Sequence, residues 1–396
     1  MKTYCKDVDI TKRDLISRCA YQCLQGKYTR RDVLDLLSSQ SGRSRSDLKR
    51  AYKKNGANAM THEVEVVIDT VREELVRREL ILKPIRYLDK LDSSSNKARR
   101  IGIQDIKQQI YDYIAVEGLR PILRRIGEYQ CASMPGRGQK YGIQAVQRWM
   151  RNPRIRYAAK LDIQKCFESI EHDAVMAWLR RRVRNDALLW LVETLLMTFE
   201  QGLSIGSFLS QYLCNLYLSD LYHYASESLY RVRKRRKRGG VRVNLISHGL
   251  FYMDDILLLG TNTKDLHRAV DLICERARTL KLRIKKTWRV FSVQGTEFVD
   301  MMGVRIYKTH MTIRSYVFRR IRRAYAHALR RIKQHFAMPA SLARRCASYY
   351  GLLKNTDSYQ LRKRWRAPLI MRVCKGVISR ESKISTAAAA AGCATA

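Results

Sequence analysis

The sequence lacks long apolar runs, and it is short of acidic residues. Among 396 residues there are 36 Asp and Glu but 77 Lys and Arg, so the formal net charge is +41. No apolar stretch is long enough to cross a bilayer, and the N-terminus does not have the pattern of a signal peptide. We therefore expect a cytoplasmic protein with no membrane partner.

Paired cysteine motifs are also missing. The ten cysteines are scattered along the chain, and none has the CxxC spacing that zinc sites use. Most lie in apolar surroundings, which indicates reduced thiols in the core of an intracellular protein. With 46% hydrophobic residues, the chain is long and apolar enough for a buried core and for two or three domains.

The excess of positive charge indicates a polyanionic partner. Every phosphate that a Lys or Arg neutralises releases condensed counterions, so affinity for nucleic acid accumulates over many contacts. A membrane surface is the alternative polyanion. Because the sequence offers no membrane anchor, we favour nucleic acid.

Two adjacent carboxylates interrupt the apolar run GLFYMDDILLLG, residues 249–260. The pattern predicts a β-hairpin with Asp254 and Asp255 at its tip. The simplest explanation is an acidic turn without a function. Two carboxylates between apolar strands repel each other unless a cation neutralises them, however, and Mg²⁺ is a cation that prefers oxygen ligands.

A third carboxylate, Asp162, ends the predicted strand in RYAAKLDIQKCFESI. If this strand and the hairpin belong to one sheet, the three aspartates meet on one face. They would then hold two Mg²⁺ ions, with Mn²⁺ as a substitute. One ion would activate a 3′-hydroxyl group, and the other would bind the triphosphate and its leaving pyrophosphate.

The rest of the sequence mixes helical and extended patterns. Helical periodicity starts at Glu63 and again after the hairpin, in DLHRAVDLICERARTL, and FVDMMGVRI predicts a pair of strands. DKLDSSSNKARRIGIQDIKQQI predicts a polar loop, and RVRKRRKRGG predicts a solvated basic loop for which a nucleic-acid contact is the functional alternative. The mixture predicts an α+β fold with an antiparallel sheet.

Five segments follow the order of the palm motifs of reverse transcriptases. They read KLDIQKCFESI, GLSIGSFLSQ, FYMDDILLLG, LKLRIKKTW and MMGVRI. Upstream, NKARRIGIQDIKQQI and MPGRGQKYGIQAV are similar to the fingers motifs of bacterial reverse transcriptases, which include group II intron, retron and diversity-generating retroelement enzymes. The resemblance covers roughly residues 60 to 360. It implies a right-hand polymerase fold with fingers, a palm whose antiparallel sheet carries the YMDD hairpin, and a helical thumb.

The resemblance divides the chain into five parts. They are a basic helical N-terminal extension (1–57), fingers (58–156), a palm (157–310), a basic helical thumb (311–380) and a low-complexity tail (381–396). The palm part contains Asp162, Gly206–Gln211, Asp254–Asp255, Lys286 and Gly303. For the extension, helices packed on the main body and a nucleic-acid-binding appendage are the two interpretations.

The resemblance also implies roles for individual residues of the active site. The implied metal ligands are Asp162, Ile163, Asp254 and Asp255, with Asp162 and Asp254 as the principal pair. Lys286 corresponds to a catalytic lysine that protonates the leaving pyrophosphate. The local spacing is shorter than is usual in the family, so Lys285 is the alternative.

Other residues correspond to contacts with the incoming nucleotide, namely Lys97, Arg99, Phe167, Gly206 and Gln211. Arg99 matches the fingers arginine on the triphosphate, and Lys97 is its weaker neighbour. Phe167 matches the aromatic residue that excludes the 2′-hydroxyl group of ribonucleotides; a core aromatic residue is the alternative. Gly206 and Gln211 lie in the motif that shapes the pocket around the nascent base pair.

Two basic segments are candidates for nucleic-acid binding. The first is a glycine-rich loop that opens a helix, a geometry suited to phosphates, with Arg137 and Lys140. The second is one face of the predicted helix SYVFRRIRRAYAHALRRIKQHF, which carries Arg319, Arg322, Arg323 and Arg330. This helix would follow the duplex of an RNA template and a DNA or RNA primer; a solvated helix face is the alternative.

One motif points to a branch of the family. Residues 205–211 read IGSFLSQ, where most reverse transcriptases have QGxxxSP. This pattern, together with SYYGLLKNTDS at residues 348–358, resembles the enzymes of diversity-generating retroelements. That resemblance implies error-prone cDNA synthesis at template adenines for mutagenic retrohoming, in a bacterial or phage-encoded system. It also implies a structured non-coding RNA and a small basic accessory protein as partners.

Three other functions are compatible with the sequence. A defence-associated, antiviral or otherwise unclassified bacterial reverse transcriptase is the nearest, since Leu250 and Phe251 stand where an arginine is common before the hairpin tyrosine. A non-catalytic RNA-binding scaffold or maturase belongs to a different class, and it has no physical reason to keep all three aspartates. A DNA-templated or template-independent polymerase would share the metal site.

Overall fold

The structure, a computed structural model, describes residues 2–92, 97–235 and 239–391. Its α-helices are α1 (Arg13–Leu24), α2 (Arg31–Ser41), α3 (Arg45–Asn55), α4 (Thr61–Arg77), α5 (Ile106–Gly118), α6 (Gln139–Met150), α7 (Cys166–Ser169), α8 (His172–Arg180), α9 (Asp186–Leu196), α10 (Phe208–His223), α11 (Thr263–Thr279), α12 (Ser315–Lys333), α13 (Ala340–Lys354), α14 (Tyr359–Arg364) and α15 (Ala367–Ala391).

The strands fall between these helices. They are β1 (Arg86–Asp92), β2 (Lys97–Ile103), β3 (Gln130–Cys131), β4 (Tyr157–Asp162), β5 (Tyr230–Arg235), β6 (Gly239–Asn244), β7 (His248–Tyr252), β8 (Asp255–Gly260), β9 (Arg289–Ser292), β10 (Val299–Met301), β11 (Val304–Ile306) and β12 (Met311–Ile313). The mixture of helices and mainly antiparallel strands confirms the predicted α+β class.

Five strands form the central sheet, in the order β3-β7-β8-β4-β9. β3 and β7 are parallel, and the other neighbouring pairs are antiparallel. β7 and β8 form the predicted hairpin, and β4, the strand that ends at Asp162, lies beside β8. The strand and the hairpin therefore share one sheet, as the sequence predicts.

Both faces of the central sheet are covered, which explains the continuous apolar run in β8. Ile256 and Leu258 pack into the main core, whereas Leu257 and Leu259 pack into a second core on the other face. Successive side chains of a strand point to opposite faces, so a strand that is buried on both sides shows no alternation of polar and apolar residues.

The N-terminal helices belong to the main core. Ile16 of α1, Val67 of α4 and Ile110 of α5 are buried in the same cluster. Asn185 Nδ2 also donates a hydrogen bond of 2.6 Å to the Val8 carbonyl group, which ties the start of the chain to the main body. The structure thus favours helices packed on the main body over a separate appendage.

A third core lies in the C-terminal helices. Ile321 of α12, Cys346 of α13 and Ile370 of α15 are buried together. The Met311 N–H group donates a hydrogen bond of 2.6 Å to Asp357 Oδ2, and this bond joins the helical unit to the small sheet β10-β11-β12. α15 runs through most of the segment predicted as a low-complexity tail, and residues 392–396 lie outside the described residues.

Two stretches predicted as loops contain strands. β1 and β2 pair in antiparallel register from Arg86↔Ile103 to Asp92↔Lys97, where a polar loop was expected. The prediction is wrong because most of this hairpin is exposed on both faces, so its sequence shows no alternation of polar and apolar residues. The basic run is likewise part of a hairpin, formed by β5 and β6.

The strand pair predicted in FVDMMGVRI is confirmed as β10 and β11. Met302 and Gly303 form the turn between them, with φ of +53° and +78°. Two successive residues with positive φ are typical of the tight turns that suit the twist of a hairpin, and glycine adopts this conformation at little cost.

Among the residues that the structure describes, no helix is long and apolar enough to span a bilayer. The nine cysteines in these ranges are free thiols, and all except Cys274 are buried. Their burial agrees with the predicted core thiols.

Candidate active site

The turn between β7 and β8 carries the acidic pair. Tyr252 and Asp255 close the hairpin, so Met253 and Asp254 form the turn. Met253 has a φ of +54°, in the left-handed region that a non-glycine residue rarely adopts. The Ile163 N–H group donates a hydrogen bond of 3.0 Å to the Asp254 carbonyl oxygen. This bond fixes the turn against the end of β4.

The structure brings the three predicted aspartates together at one end of the central sheet. Asp162 is the register partner of Asp255 on the neighbouring antiparallel strand. Residues in such a pair have Cβ atoms about 4.5–5.5 Å apart. Asp254, at the turn, directly precedes Asp255. Three carboxylates therefore share a small volume.

Burial, together with this crowding, raises the pKa values of the two hairpin aspartates. Burial raises the pKa of Asp254, and the negative charges of Asp255 and Asp162 raise it further. Burial also raises the pKa of Asp255, while the ammonium group of Lys160 opposes the shift. Raised carboxyl pKa values mean that the negative charges lack sufficient neutralisation from the protein alone.

Two lysines supply part of that neutralisation. The Lys285 ammonium group forms an ion pair with Asp162 Oδ1. The backbone N–H group of Lys285 donates a hydrogen bond of 2.8 Å to the Asp162 carbonyl oxygen. Lys160 Nζ lies 3.8 Å from Asp255 Oδ1 and donates a hydrogen bond of 3.0 Å to the Asp300 carbonyl oxygen. Lys160 was not among the predicted site residues. It lies two residues before Asp162, and the period of two along a strand puts both side chains on one face.

The donor atoms fit a hard divalent cation. Asp162 Oδ1 is buried, and its partner among the described residues is the Lys285 ammonium group. The Ile163 side chain is buried and apolar, so only its carbonyl oxygen can act as a ligand. N–H and C=O of one residue point to the same side of an extended chain, and the Ile163 N–H group faces Asp254. Its carbonyl group therefore faces Asp254 as well.

Within residues 2–92, 97–235 and 239–391, no three Asp, Glu, His or Cys side chains are arranged to enclose an ion by themselves. Mg²⁺ seldom needs such a cage. It usually takes one or two protein carboxylates and completes its octahedral shell with water and substrate phosphate oxygens. The three aspartates suit an ion that is held jointly by the protein and a bound phosphate group.

The two candidate lysines lie in different places. Lys285 faces Asp162, whereas Lys286 lines a separate hollow of about 830 Å³ together with Gln164 and Glu171. Lys285 directly follows Ile284, the bridge partner of Ile163, whereas Lys286 lies in the turn that comes next. The geometry favours Lys285 over Lys286 as the lysine next to the aspartates.

The loop before α10 holds the backbone at Phe167. The Leu203 N–H group donates a hydrogen bond of 2.8 Å to the Phe167 carbonyl oxygen. Gly202 has a φ of +56°, and a Cβ atom there would lie 2.6 Å from the same oxygen. The Phe167 side chain is half-buried and packs on the main core. Gly202 lies in the motif GLSIGSFLSQ but was not among the predicted site residues.

The same loop contacts the β1–β2 hairpin. A Cβ atom on Gly206 would lie 1.9 Å from the Gly102 carbonyl oxygen, and one on Gly102 would lie 2.5 Å from Ser204 Oγ. Two glycines thus allow β2 to rest on the loop. β2 also carries Arg99, which is exposed. Lys97 starts the strand, and its side chain lies outside the described residues.

A buried carboxylate connects this loop to α5. Asp112 is fully buried and accepts hydrogen bonds from Ser207 Oγ (2.8 Å), the Leu209 N–H group (3.2 Å) and Gln104 Nε2 (3.2 Å). Burial raises the pKa of Asp112 to about 6, although these hydrogen bonds oppose the shift. Asp112 was not predicted. Its signal is a single acidic residue inside the apolar helix segment IYDYIAV.

Ser207 also fixes the start of α10. Its side chain caps the helix by accepting a hydrogen bond of 3.0 Å from the Ser210 N–H group. The predicted residue Gln211 follows in the first turn of α10 and is half-buried. Asp112, through Ser207, therefore positions both the loop that contains Gly206 and the helix that contains Gln211.

The residues predicted to contact nucleic acid differ in their exposure and in their hydrogen bonds within the protein. Arg137 is half-buried, and its Nη1 atom donates hydrogen bonds to the carbonyl groups of Gly127 (2.7 Å) and Ile126 (3.3 Å). Lys140 is exposed in the first turn of α6. The exposed face of α12, opposite the buried residue Ile321, carries Arg319, Arg322, Arg323 and Arg330.

The comparisons with known proteins bear on this site. A family model described as "Reverse transcriptase (RNA-dependent DNA polymerase)" matches residues 88–306, which is more than half of the chain. The matched segment contains most of β1, all of β2, the loop before α10 and all three aspartates. No curated protein matches the chain.

Proposed function

Because the chain belongs to the reverse transcriptase family and is an RNA-directed DNA polymerase, we propose that the aspartate site is its polymerisation centre. The observation that carries the proposal is the pairing of Asp162 with Asp255 across two strands, with Asp254 at the adjoining turn. In this proposal the enzyme adds deoxynucleotides to a primer 3′-hydroxyl group on an RNA template.

Asp162, Asp254, Asp255 and the Ile163 carbonyl oxygen would hold two Mg²⁺ ions, or Mn²⁺ in their place. When bound, the metal ions lower the pKa of the primer hydroxyl group and neutralise charge on the triphosphate. The aspartates orient these groups, and the raised pKa values of Asp254 and Asp255 supply the electrostatic reason for cation binding.

Lys285 would deliver a proton to the leaving pyrophosphate. Its ion pair with Asp162 keeps the ammonium group beside the carboxylates, within reach of a phosphate bound there. A positioned lysine can protonate a leaving group as its negative charge develops. Lys286 has no contact of this kind with the aspartates, and we therefore assign the general acid to Lys285.

We assign the fingers, palm and thumb to the structural units already described. The β1–β2 hairpin forms part of the fingers, the central sheet forms the palm, and α12 to α15 form the thumb. In this arrangement, the incoming nucleotide would contact Arg99, Phe167, Gly206 and Gln211, with Lys97 nearby. The thumb arginines on α12 would follow the backbone of the template–primer duplex, and Lys140 would contact the template near the fingers.

The proposal is tested by Asp254→Ala. This substitution removes a metal ligand and leaves the basic surface intact, so primer extension with Mg²⁺ should fall by at least about 100-fold while RNA affinity changes little. Asp69→Ala is the control, because Asp69 is an exposed carboxylate on α4. Normal extension by the Asp254 variant would contradict the proposal. Loss of RNA binding along with extension would instead support a structural role for Asp254.

Within the family, we place the chain among the diversity-generating retroelement enzymes, on the pattern IGSFLSQ at residues 205–211. The partners would be a structured non-coding RNA and a small basic accessory protein, in the cytoplasm of a bacterium. Sequencing the cDNA made on a heteropolymeric RNA tests this placement. Errors concentrated opposite template adenines would support it, whereas few and evenly distributed errors would favour a defence-associated enzyme.

A further inference from the structure

A second basic surface lies outside the aspartate site, on β5 and β6, which we call the basic arm. Residues 228–253, which include the arm, contain eight Lys and Arg but no Asp or Glu. In the described part of the chain, β5 and β6 pair with each other and with no other strand. Two-stranded ribbons are marginally stable alone, so the arm requires an anchor at its base.

The base of the arm is fixed to the main body. Leu229 and Leu245 are buried, and the Leu245 N–H group donates a hydrogen bond of 2.9 Å to the Leu229 carbonyl oxygen. Arg231 Nε pairs with Asp265 Oδ1, at the start of α11, over 3.0 Å. The arm therefore leaves the main body in a defined direction.

The middle of the arm carries exposed basic residues on both faces. Arg233 lies opposite Val241, and Arg242 lies opposite Val232. Opposite residues share a face and successive residues alternate, so Arg233 and Arg242 lie on different faces. Both arginines are exposed, and Val232 is 60% exposed. A ribbon with cations on both faces is poorly suited to packing on a protein core. It is suited to two rows of phosphates.

The arm begins at the end of the central hairpin that is distant from the aspartates. β7 starts at His248, just after the arm, and ends beside the turn that contains Asp254. Five residues of extended chain span about 17 Å. Asp265, the anchor of Arg231, likewise follows the distal end of β8. The base of the arm is therefore remote from a base pair held at the aspartates.

We propose that the basic arm binds a double-helical segment of the RNA that carries the template, outside the template–primer duplex. This inference rests on the proposed function, in which the template strand occupies the aspartate site. The remaining part of the same RNA is tethered there, so its effective concentration at the arm is high even if each phosphate contact is weak. Helical RNA is recognised mainly through its backbone and shape, which a ribbon of arginines and valines can contact.

The test is a double substitution in the full chain, Arg233→Gln with Arg242→Gln. Its matched control is Arg31→Gln with Arg77→Gln, since these side chains are 85% and 71% exposed on the N-terminal helices. The probe is an RNA stem-loop of about two helical turns without a primer. Its affinity is measured by fluorescence anisotropy at several salt concentrations, and primer extension is measured separately on a short template–primer duplex.

For the arm variant, we expect affinity for the stem-loop to fall about fivefold or more. The slope of log affinity against log salt concentration should decrease by about one to two, because two phosphate contacts are lost. Extension of the short duplex should not change, and the control should keep the affinity of the wild-type protein. This combination would support an RNA contact that is separate from catalysis.

Several results would overturn the inference. One is an equal loss in the control, because net charge alone would then explain the effect. Another is an unchanged affinity in the arm variant. A third is competition by an acidic polypeptide as strong as that by RNA, which would indicate a protein partner. If the wild-type protein bound the stem-loop through the arm but extended no primer, the proposed function would fail and the RNA contact of the arm would stand.

Discussion

Gly206 lies so close to the carbonyl oxygen of Gly102 that a Cβ atom on Gly206 would approach this oxygen to 1.9 Å. The contact joins the loop before α10 to β2, the strand that carries Arg99. The absence of a side chain at residue 206 is therefore required for the loop and the β1–β2 hairpin to meet. The geometry of the proposed nucleotide pocket depends on a contact between two backbones.

Gly206→Ala should displace β2 and lower primer extension. Overpacking of this kind typically costs about 1–3 kcal/mol of stability, and a displaced Arg99 should raise the KM for deoxynucleotides by about tenfold. The measurement is steady-state extension at varied nucleotide concentration. The control is Gly351→Ala in α13, because a Cβ atom there has no neighbour within 4 Å. A KM equal to that of the wild-type protein would show that the contact does not position the pocket.

The assignment of Lys285 predicts unequal effects for two adjacent lysines. Lys285→Met should lower the single-turnover rate of nucleotide addition by about 100-fold, because the general acid is lost. Lys286→Met should change this rate by less than about threefold, since its side chain lines a separate hollow. A larger effect in the Lys286 variant would reverse the assignment.

The parts of the site that the sequence predicts are those encoded by local patterns. The apolar run of β4 ends at Asp162 and that of β8 starts after Asp255, and a two-residue turn between two apolar strands is a short-range signal. Arg86–Asp92 and Lys97–Ile103 carry no such signal, because neither face of their hairpin is consistently buried. Burial in a sheet is decided by contacts that are distant in sequence.

Other features of the site depend on a difference of one residue in position, or on contacts between residues that are distant in sequence. Lys285 pairs with Asp162 whereas its neighbour Lys286 lines a separate hollow, and a shift of one residue would exchange them. Asp112 meets Ser207 and Leu209 across more than ninety residues of chain. An acidic residue in an apolar helix indicates that a buried partner exists, but the sequence does not show which residue the partner is.

Asp112 predicts a pH dependence of stability. Its pKa is raised from 3.8 to about 6 in the folded protein, so the folded state binds the proton more tightly than the unfolded state does. The free energy of unfolding should therefore decrease as the pH rises from about 4 through 6, by up to about 3 kcal/mol from this group alone. Above that window, the contribution of Asp112 should be constant.

Asp112→Asn provides the measurement, because the amide does not ionise. Its oxygen can accept from Ser207 and Leu209, and its NH₂ group can face Gln104, whose Oε1 atom has no hydrogen-bond partner among the described residues. The variant should keep primer extension within about twofold and lose the pH-dependent change in the free energy of unfolding, measured with urea from pH 4 to 7. Asp112→Ala leaves buried donors unpaired, so it should cost about 1–3 kcal/mol per donor. A stability difference between wild type and the Asn variant that does not change with pH would contradict the raised pKa.

The role of Phe167 predicts a change in sugar selectivity. Phe167→Ala removes the ring next to the strand that ends at Asp162, so a ribonucleotide 2′-hydroxyl group would find space in the pocket. The ratio of kcat/KM for ribonucleotides to that for deoxynucleotides should rise by at least about tenfold. Phe167→Tyr keeps the bulk of the ring and should retain the wild-type ratio. Both ratios are measured by single-nucleotide extension, with thermal unfolding as a check on folding. If Phe167→Ala lowered stability and left the ratio unchanged, Phe167 would be a core residue only. Packing on the main core would then explain the half-buried position of its ring without any contact to the sugar.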